Sequence, residues 1–249
     1  MKSLKISAWA GWLPGVFTKE EWNQFFEHSS VVHPGQDPLV PELPAMMRRR
    51  MGRMSRMSAA VAFAACRESS LAPSDVPLVF ASRHGEMSIL MGLLSLMSEG
   101  EPLSPTAFSH SVHHTSGSYF SIAAGNKKEL RSVAGGEATF AYGFLDAVGL
   151  LHERENTHVL LLVADDRVPP IFEHLVNEAR LPYAVGLVLS RDLTGPGMSV
   201  GFDCRGSRGM SPSKDLKQGV QALDFLQWLT GPEHVFESDL DGKCWRWSK

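Results

Sequence analysis

A chain of 249 residues, 43% hydrophobic and 20% charged, has an ordinary globular composition and can bury a sizeable core without disulfide or metal staples. Its net charge of −3 comes from 24 basic and 27 acidic residues, so the charge balance supplies no general attraction to nucleic acid. Cys66, Cys204 and Cys244 stand far apart with no C-x-x-C pair, which argues against a structural zinc site and indicates a reducing compartment. The N-terminal MKSLKISAWAGWLPG has no sustained apolar region, unlike a secretory signal. No run is long and apolar enough to span a membrane. The expectation is one cytoplasmic α/β domain over residues 1–249, with no metal and no cofactor.

In chain order, residues 4–9 (LKISAW) read as a short strand. Residues 18–21 (TKEE) form a capping box, in which Thr18 takes the Glu21 amide and Glu21 reaches back, opening a helix through Trp22, Phe25 and Phe26. Residues 31–44 carry Pro34, Pro38, Pro41 and Pro44 and read as an exposed, irregular connection. One amphipathic helix is predicted over residues 45–68, with a methionine-rich core stripe and a basic first half of Arg48, Arg49, Arg50, Arg53 and Arg56. No aromatic residues interleave those arginines, which disfavours nucleic acid and leaves either a solvated face or a dock for an acidic partner. Residues 76–82 read as a strand, 86–98 as a buried helix, and Ser104-Pro105 as the start of another helix carrying Phe108, His110 and Val112. Residues 158–163 (HVLLLV) and 183–190 (YAVGLVLS) are unbroken apolar runs, as in buried strands of a parallel or mixed sheet. Between them, 169–179 reads as a short helix; Met198, Val200 and Phe202 alternate like a further strand. A surface helix is predicted over 214–229, and the terminal WRW as a last edge strand. Strands alternating with helices give an α/β layered domain.

The organising stretch is residues 111–151. It runs from a histidine-rich segment through a Gly/Ser turn, a polar link and then SVAGGEATFAYGFLDAVGLL, a Gly-Gly turn opening an apolar helix. Such a turn presents one side chain where unpaired helix amides and the helix dipole converge, and that residue is Glu137. An ionised carboxylate is stabilised at such a position, which opposes a raised-pKa acid/base role. His110, His113 and His114 stand at i, i+3 and i+4, but no further ligand is in view for zinc, so hydrogen bonding in the core or at an interface is the reading. Residues 197–201 match G-x-S-x-G, which makes Ser199 a candidate hydrolase nucleophile, although strand and loop rather than helix are expected after it. Neither phosphate-cradling glycine motif is present.

The succession SPTAFSHSV, SGSYFSIAAG and the Gly-rich turn into an apolar helix resembles the β-ketoacyl synthases of the thiolase superfamily. HVLLLVADD resembles the family's strand after the nucleophile helix, and YAVGLVLSRD its final half-domain strand. Laid on the family turn without gaps, Gly136 falls on the alanine before the nucleophile and Glu137 on the cysteine itself. A carboxylate cannot carry an acyl chain as a thioester. The family's two active-site histidines come from a second half-domain, and this chain stops where that half would begin.

The resemblance therefore implies a thiolase-like layered fold, N-terminal half only. It implies a chain length factor of the aryl polyene or type II polyketide kind, inactive alone and paired with a full-length β-ketoacyl-ACP synthase. On that mapping Phe108, Ser111, Val112 and Tyr119 lie at the interface and acyl tunnel, and the Arg48–Arg56 face docks the acidic acyl carrier protein. The alternatives are a malonyl-ACP decarboxylase using Glu137 and, last, a small α/β hydrolase using Ser199.

Overall fold

The structure is a computed structural model that describes residues 2–28, 37–153, 156–176, 181–206 and 219–249. One mixed sheet runs through it. Its strands are β1 (Lys2–Trp12), β2 (Leu78–Ala81), β3 (Leu130–Val133), β4 (His158–Asp165), β5 (Tyr183–Ser190), β6 (Met198–Gly206), β7 (Val235–Leu240) and β8 (Lys243–Ser248). Their spatial order is β3-β2-β4-β5-β1-β6-β8-β7. β3, β2 and β4 run parallel, whereas β5 is antiparallel to both β4 and β1, and the β6-β8-β7 extension is antiparallel throughout.

The unbroken apolar runs follow from burial on both faces. Val79, Ala81, Leu161 and Val163 point to one layer, built on α7 (Thr139–His152) and α8 (Gln221–Thr230). Leu78, Phe80, Leu160 and Leu162 point to the other, built on α3 (Arg53–Glu68) and α6 (Thr115–Ala124). β1 serves both. Leu4 and Ile6 belong to the α7 layer, and Ala8, Ala10 and Trp12 to the α3 layer. Their common alternation would put all five on one face, but a bulge between Ile6 and Ala8 turns the strand over.

The capping box forms as expected at α1 (Lys19–His28): the Glu21 amide donates to Thr18 Oγ1 at 3.2 Å, and the Thr18 amide donates to Glu21 Oε2 at 2.8 Å. Several expectations are corrected. The helix over 45–68 is broken into α2 (Ala45–Arg50) and α3, because Met51 turns extended and inserts into the core while Gly52 caps α3. The irregular connection is not wholly exposed: Val40 and Leu43 are buried, and residues 31–36 lie outside the described residues. α4 (Met87–Ser98) is not a buried helix, since Leu93 alone is buried along it. The helix at Pro105 is α5 (Pro105–His110), ending before Val112, and the expected Gly/Ser turn lies inside α6, where Ser116 and Gly117 pack against the body.

Residues 170–175 make a 3-10 turn rather than an α-helix, and residues 177–180 lie outside the described residues. α8 begins at Gln221, with 214–218 outside the described residues, and it is buried rather than superficial. WRW is not at the edge: β8 pairs with β6 on one side and β7 on the other, and Trp245 and Trp247 are fully buried. Trp247, Phe202 and Phe225 touch Phe140 or Phe144 of α7, Trp245 touches Tyr142, and Phe236 packs on Trp247.

Candidate functional site

β3 delivers the chain to the Gly-Gly turn at the carboxyl end of the parallel strands, where open α/β sheets place their sites. Both glycines are required by geometry. Gly136 has φ +58°, and a Cβ on Gly135 would lie 2.4 Å from Tyr142 Cδ2. Thr139 Oγ1 closes the turn by accepting from the Gly135 amide at 3.0 Å and donating to the Gly136 carbonyl at 2.6 Å.

Glu137 stands in the short 3-10 turn Gly136–Ala138 that leads into α7. It is exposed and makes no hydrogen bond or ion pair among the described residues. The amides of the helix start, which would stabilise a thiolate or an oxyanion, are partly spoken for. The buried Ala141 amide donates to Gln221 Oε1 of α8 at 3.1 Å. Behind the turn, Tyr142 hydrogen-bonds Asp241 and accepts from Lys243 Nζ at 2.7 Å, so the β7–β8 turn is latched to α7. A groove of about 920 Å³ opens there, lined by Arg131, Gly135, Gly136, Tyr142, Leu145 and Asp241 among others. Its arginine is already saturated by Glu129, Asp146 and Glu153.

None of the histidines near the site is placed as a catalytic partner of Glu137. His113 uses both ring nitrogens, Nδ1 with Ser132 Oγ at 2.7 Å and Nε2 with the Ser82 carbonyl at 2.8 Å. His110 Nε2 meets Tyr119 Oη at 2.9 Å, and His114 stands at the N-cap position of α6 without a side-chain capping bond. Among the described residues no three metal-ligating side chains converge. Ser199 is the second residue of β6, paired with Lys5 of β1, and its strand continues to Gly206 without turning into a helix. The nucleophile elbow is therefore not formed.

The other candidate residues fall into two surfaces. On α4, Leu90, Leu94 and Met97 repeat at i, i+4 and i+7 and remain 45%, 46% and 59% exposed. α5 packs beside α4 and adds Phe108, 62% exposed, and α6 adds Ile122, 68% exposed. Exposed apolar side chains grouped on the paired helices α4 and α5 mark an interaction surface. Of the predicted tunnel residues, Phe108 and Val112 are on this surface, and Ser111 and Tyr119 are half-buried beside it. Among the described residues no strand pairs with the outer edge of β3, against which α6 packs.

The arginines separate. Arg53 bonds Asp37 at 2.9 Å and Asp166 at 3.4 Å, and Arg56 bonds Asp37 at 3.2 Å. Arg48 donates to the Val40 carbonyl at 3.2 Å. Arg49 and Arg50 are exposed and make no ion pair among the described residues, and Arg49 lines a groove of about 450 Å³ that also exposes Leu39.

Three buried carboxylates, Asp165, Glu86 and Asp224, are not singled out by the sequence, and the first two lie near the site. Asp165, at the end of β4, accepts from Ser82 Oγ at 2.7 Å, the Arg83 and His84 amides at 3.1 and 2.9 Å, and Tyr183 Oη at 3.0 Å. Glu86 Oε1 accepts from Ser55 Oγ at 2.9 Å and Ser116 Oγ at 3.1 Å. The only signal for either was an acidic residue directly abutting an apolar run. Burial raises the pKa of both. The folded state thus holds each proton more tightly than the unfolded chain, so stability falls as pH rises from about 4.5, the ordinary Glu value, through the raised folded value, and then levels. Glu86→Gln should flatten that slope and leave the protein at least as stable as the wild type at pH 7. Urea midpoints measured from pH 4 to 8 check this.

Comparison with known proteins accounts for the layout. The family profile described as "Beta-ketoacyl synthase, N-terminal domain" matches residues 22–248. The fold superposes with a TM-score of 0.82 on a chain of the ketosynthase ApeO in complex with its chain length factor ApeC from Xenorhabdus doucetiae, at 26% identity and with 100% of both chains covered. A β-ketoacyl synthase from Burkholderia phymatum STM815 matches at TM-score 0.64 and 15% identity, covering 86% of this chain and 67% of that one. The ishigamide ketosynthase/chain length factor matches at TM-score 0.66 and 14% identity, over 83% and 68%; both of these likenesses speak for the fold alone. Curated protein sequences yield no match. With the profile spanning nearly the whole chain and the sheet, the Gly-Gly turn and the buried helix after it in place, this chain belongs to the β-ketoacyl synthase N-terminal domain family and has the thiolase-like fold.

Proposed function

We propose that this protein is a non-catalytic chain length factor, folded as a single domain, that pairs with a full-length β-ketoacyl-ACP synthase. In the pair it walls part of the acyl tunnel while the partner forms the carbon–carbon bonds of a polyketide, aryl polyene or fatty-acid-like chain. What supports this is Glu137: laid on the family turn it takes the nucleophile's place, it is an exposed carboxylate there, and Gln221 occupies a helix amide behind it. A carboxylate there can neither load an acyl chain as a thioester nor donate a hydrogen bond to a developing enolate, which also argues against malonyl decarboxylation. The solved relative at 26% identity, described as a ketosynthase with its chain length factor, supports the pairing. The α4–α6 apolar surface and the open edge of β3 are the docking face for the synthase.

Co-expression with a synthase, followed by size-exclusion chromatography and product analysis, tests this. A one-to-one complex whose product length depends on this chain is expected; separate elution with unchanged products would overturn it. Release of carbon dioxide from malonyl carrier protein by the purified chain would favour the decarboxylase instead. Within the complex, Phe108→Ala or Val112→Ala should change the product length, read by mass spectrometry.

The acyl carrier protein is the acidic partner expected at the basic surface, on Arg49 and Arg50 with Arg48 behind them. Arg53 and Arg56 instead hold Asp37 in place. Reversing Arg49 and Arg50 to Glu should weaken carrier binding about tenfold at low salt, and the loss should shrink at 0.5 M salt, about the regime where exposed charges are screened.

A further inference from the structure

α4 and α5 form an excursion from the body. Between Glu86 and Thr115 the two helices bury Leu93 and little else. Something must fix their direction, because exposed helices with so few buried contacts would otherwise sample many orientations. The two ends of the excursion meet over its base. Glu86, where the chain leaves, accepts from Ser116, where the chain returns, at 3.1 Å. Ser55 of α3 donates to the same oxygen at 2.9 Å and lies 3.1 Å from Ser116 Oγ, so the body itself joins the clasp.

A second rung lies alongside, where His113 Nε2 meets the Ser82 carbonyl and Nδ1 meets Ser132 of β3. Ser82 is in turn held by Asp165, and the Gly85 amide donates to Ser82 Oγ at 2.9 Å. Glu86 is 7% exposed and Ser55 and Ser116 at most 1%, so water does not compete for these bonds. Glu86 also caps the first turn of α4 through its carbonyl, which accepts from the Ile89 and Leu90 amides at 3.0 Å each.

We infer that Glu86 is the positioning residue of the docking face: its carboxyl clasps Ser55 and Ser116 across the base of the α4–α5 excursion and sets the angle at which Leu90, Leu94, Met97 and Phe108 are presented. The clasp needs no partner to exist; its consequence for pairing rests on the synthase-docking role proposed above. Glu86→Ala removes both hydroxyl bonds, while Glu86→Gln keeps an acceptor oxygen at the same place.

Hydrogen exchange on the full chain alone tests the clasp. In Glu86→Ala, exchange across residues 87–112 should rise about tenfold or more while β4 and β5 stay within about twofold of wild type. Glu86→Gln should restore most of the protection. Unchanged exchange in 87–112, or an equal rise in β4 and β5, would overturn the inference, the second by showing a global rather than a hinge effect. His113→Ala, which opens the second rung, should raise exchange in the same segment and guards against Glu86→Ala failing to fold. A second arm measures co-elution with the full-length synthase. Loss with Glu86→Ala and recovery with Glu86→Gln is expected. If wild type itself fails to co-elute, the pairing falls while the exchange result still decides the clasp.

Discussion

Phe144→Ala should destabilise the fold by about 3–5 kcal/mol, the largest effect expected of any single substitution in the chain. Phe144 is fully buried in α7, at the centre of the aromatic cluster of the α7 layer. Its centroid lies 5.0 Å from Phe202, 5.7 Å from Trp247 and 5.8 Å from Phe225, with Trp247 perpendicular to it. Removing the ring leaves a cavity among three aromatic side chains on β6, β8 and α8, none of which can collapse into it without giving up its own packing. For a chain of this size the melting midpoint should drop by about 10 °C. Urea and thermal unfolding followed by circular dichroism measure it. A loss below about 1 kcal/mol would mean that the C-terminal meander does not pack on α7 as described.

Leu94→Glu combined with Met97→Glu should abolish pairing with the synthase while leaving the isolated chain folded. Both residues are exposed on one stripe of α4, and glutamate is a good helix former, so the monomer gives up little. In a complex the same positions are desolvated, and two unpaired carboxylates there should weaken binding by about a hundredfold or more. Titration by biolayer interferometry, with melting curves of the free chain as control, separates the two states. Full-strength binding by the double variant would move the docking face elsewhere.

Much of the fold was legible in the sequence, because it is written in side-chain pattern. HVLLLV and YAVGLVLS become β4 and β5 because a strand buried on both faces has no polar side to show. The Gly-Gly turn is legible for a related reason: a positive φ and a tyrosine ring 2.4 Å from a hypothetical Cβ leave glycine as the residue that fits. What was misjudged depends on neighbours that a local pattern does not contain. EMSILMGLLSLMS looks like core by composition, yet α4 faces outward, because hydrophobicity says that a surface is to be covered and not which chain covers it.

WRW looked like an edge for want of a visible later partner, but β7, whose VFESDL carries two acids, pairs on its far side. The 45–68 pattern reads as continuous helix, and the break at Met51–Gly52 goes with a tertiary contact, since Met51 turns extended and enters the core. At the site, Glu137 was found through the turn that presents it. Gln221 and Glu86 were invisible because each acts on backbone or hydroxyl groups tens of residues away.

The bulge in β1 has a mechanical consequence. With Ser7 as the extra residue, the strand threads from one layer to the other like a stitch through two plies of cloth. Deleting Ser7 would leave Ile6 and Ala8 as neighbours in a regular ladder, with Leu4 and Ile6 still in one ply and Ala8, Ala10 and Trp12 in the other, so the crossing is set by the side-chain pattern on either side of Ser7. Neither ply can therefore be laid down or peeled away by itself: the first strand of the chain makes the two cores melt as one.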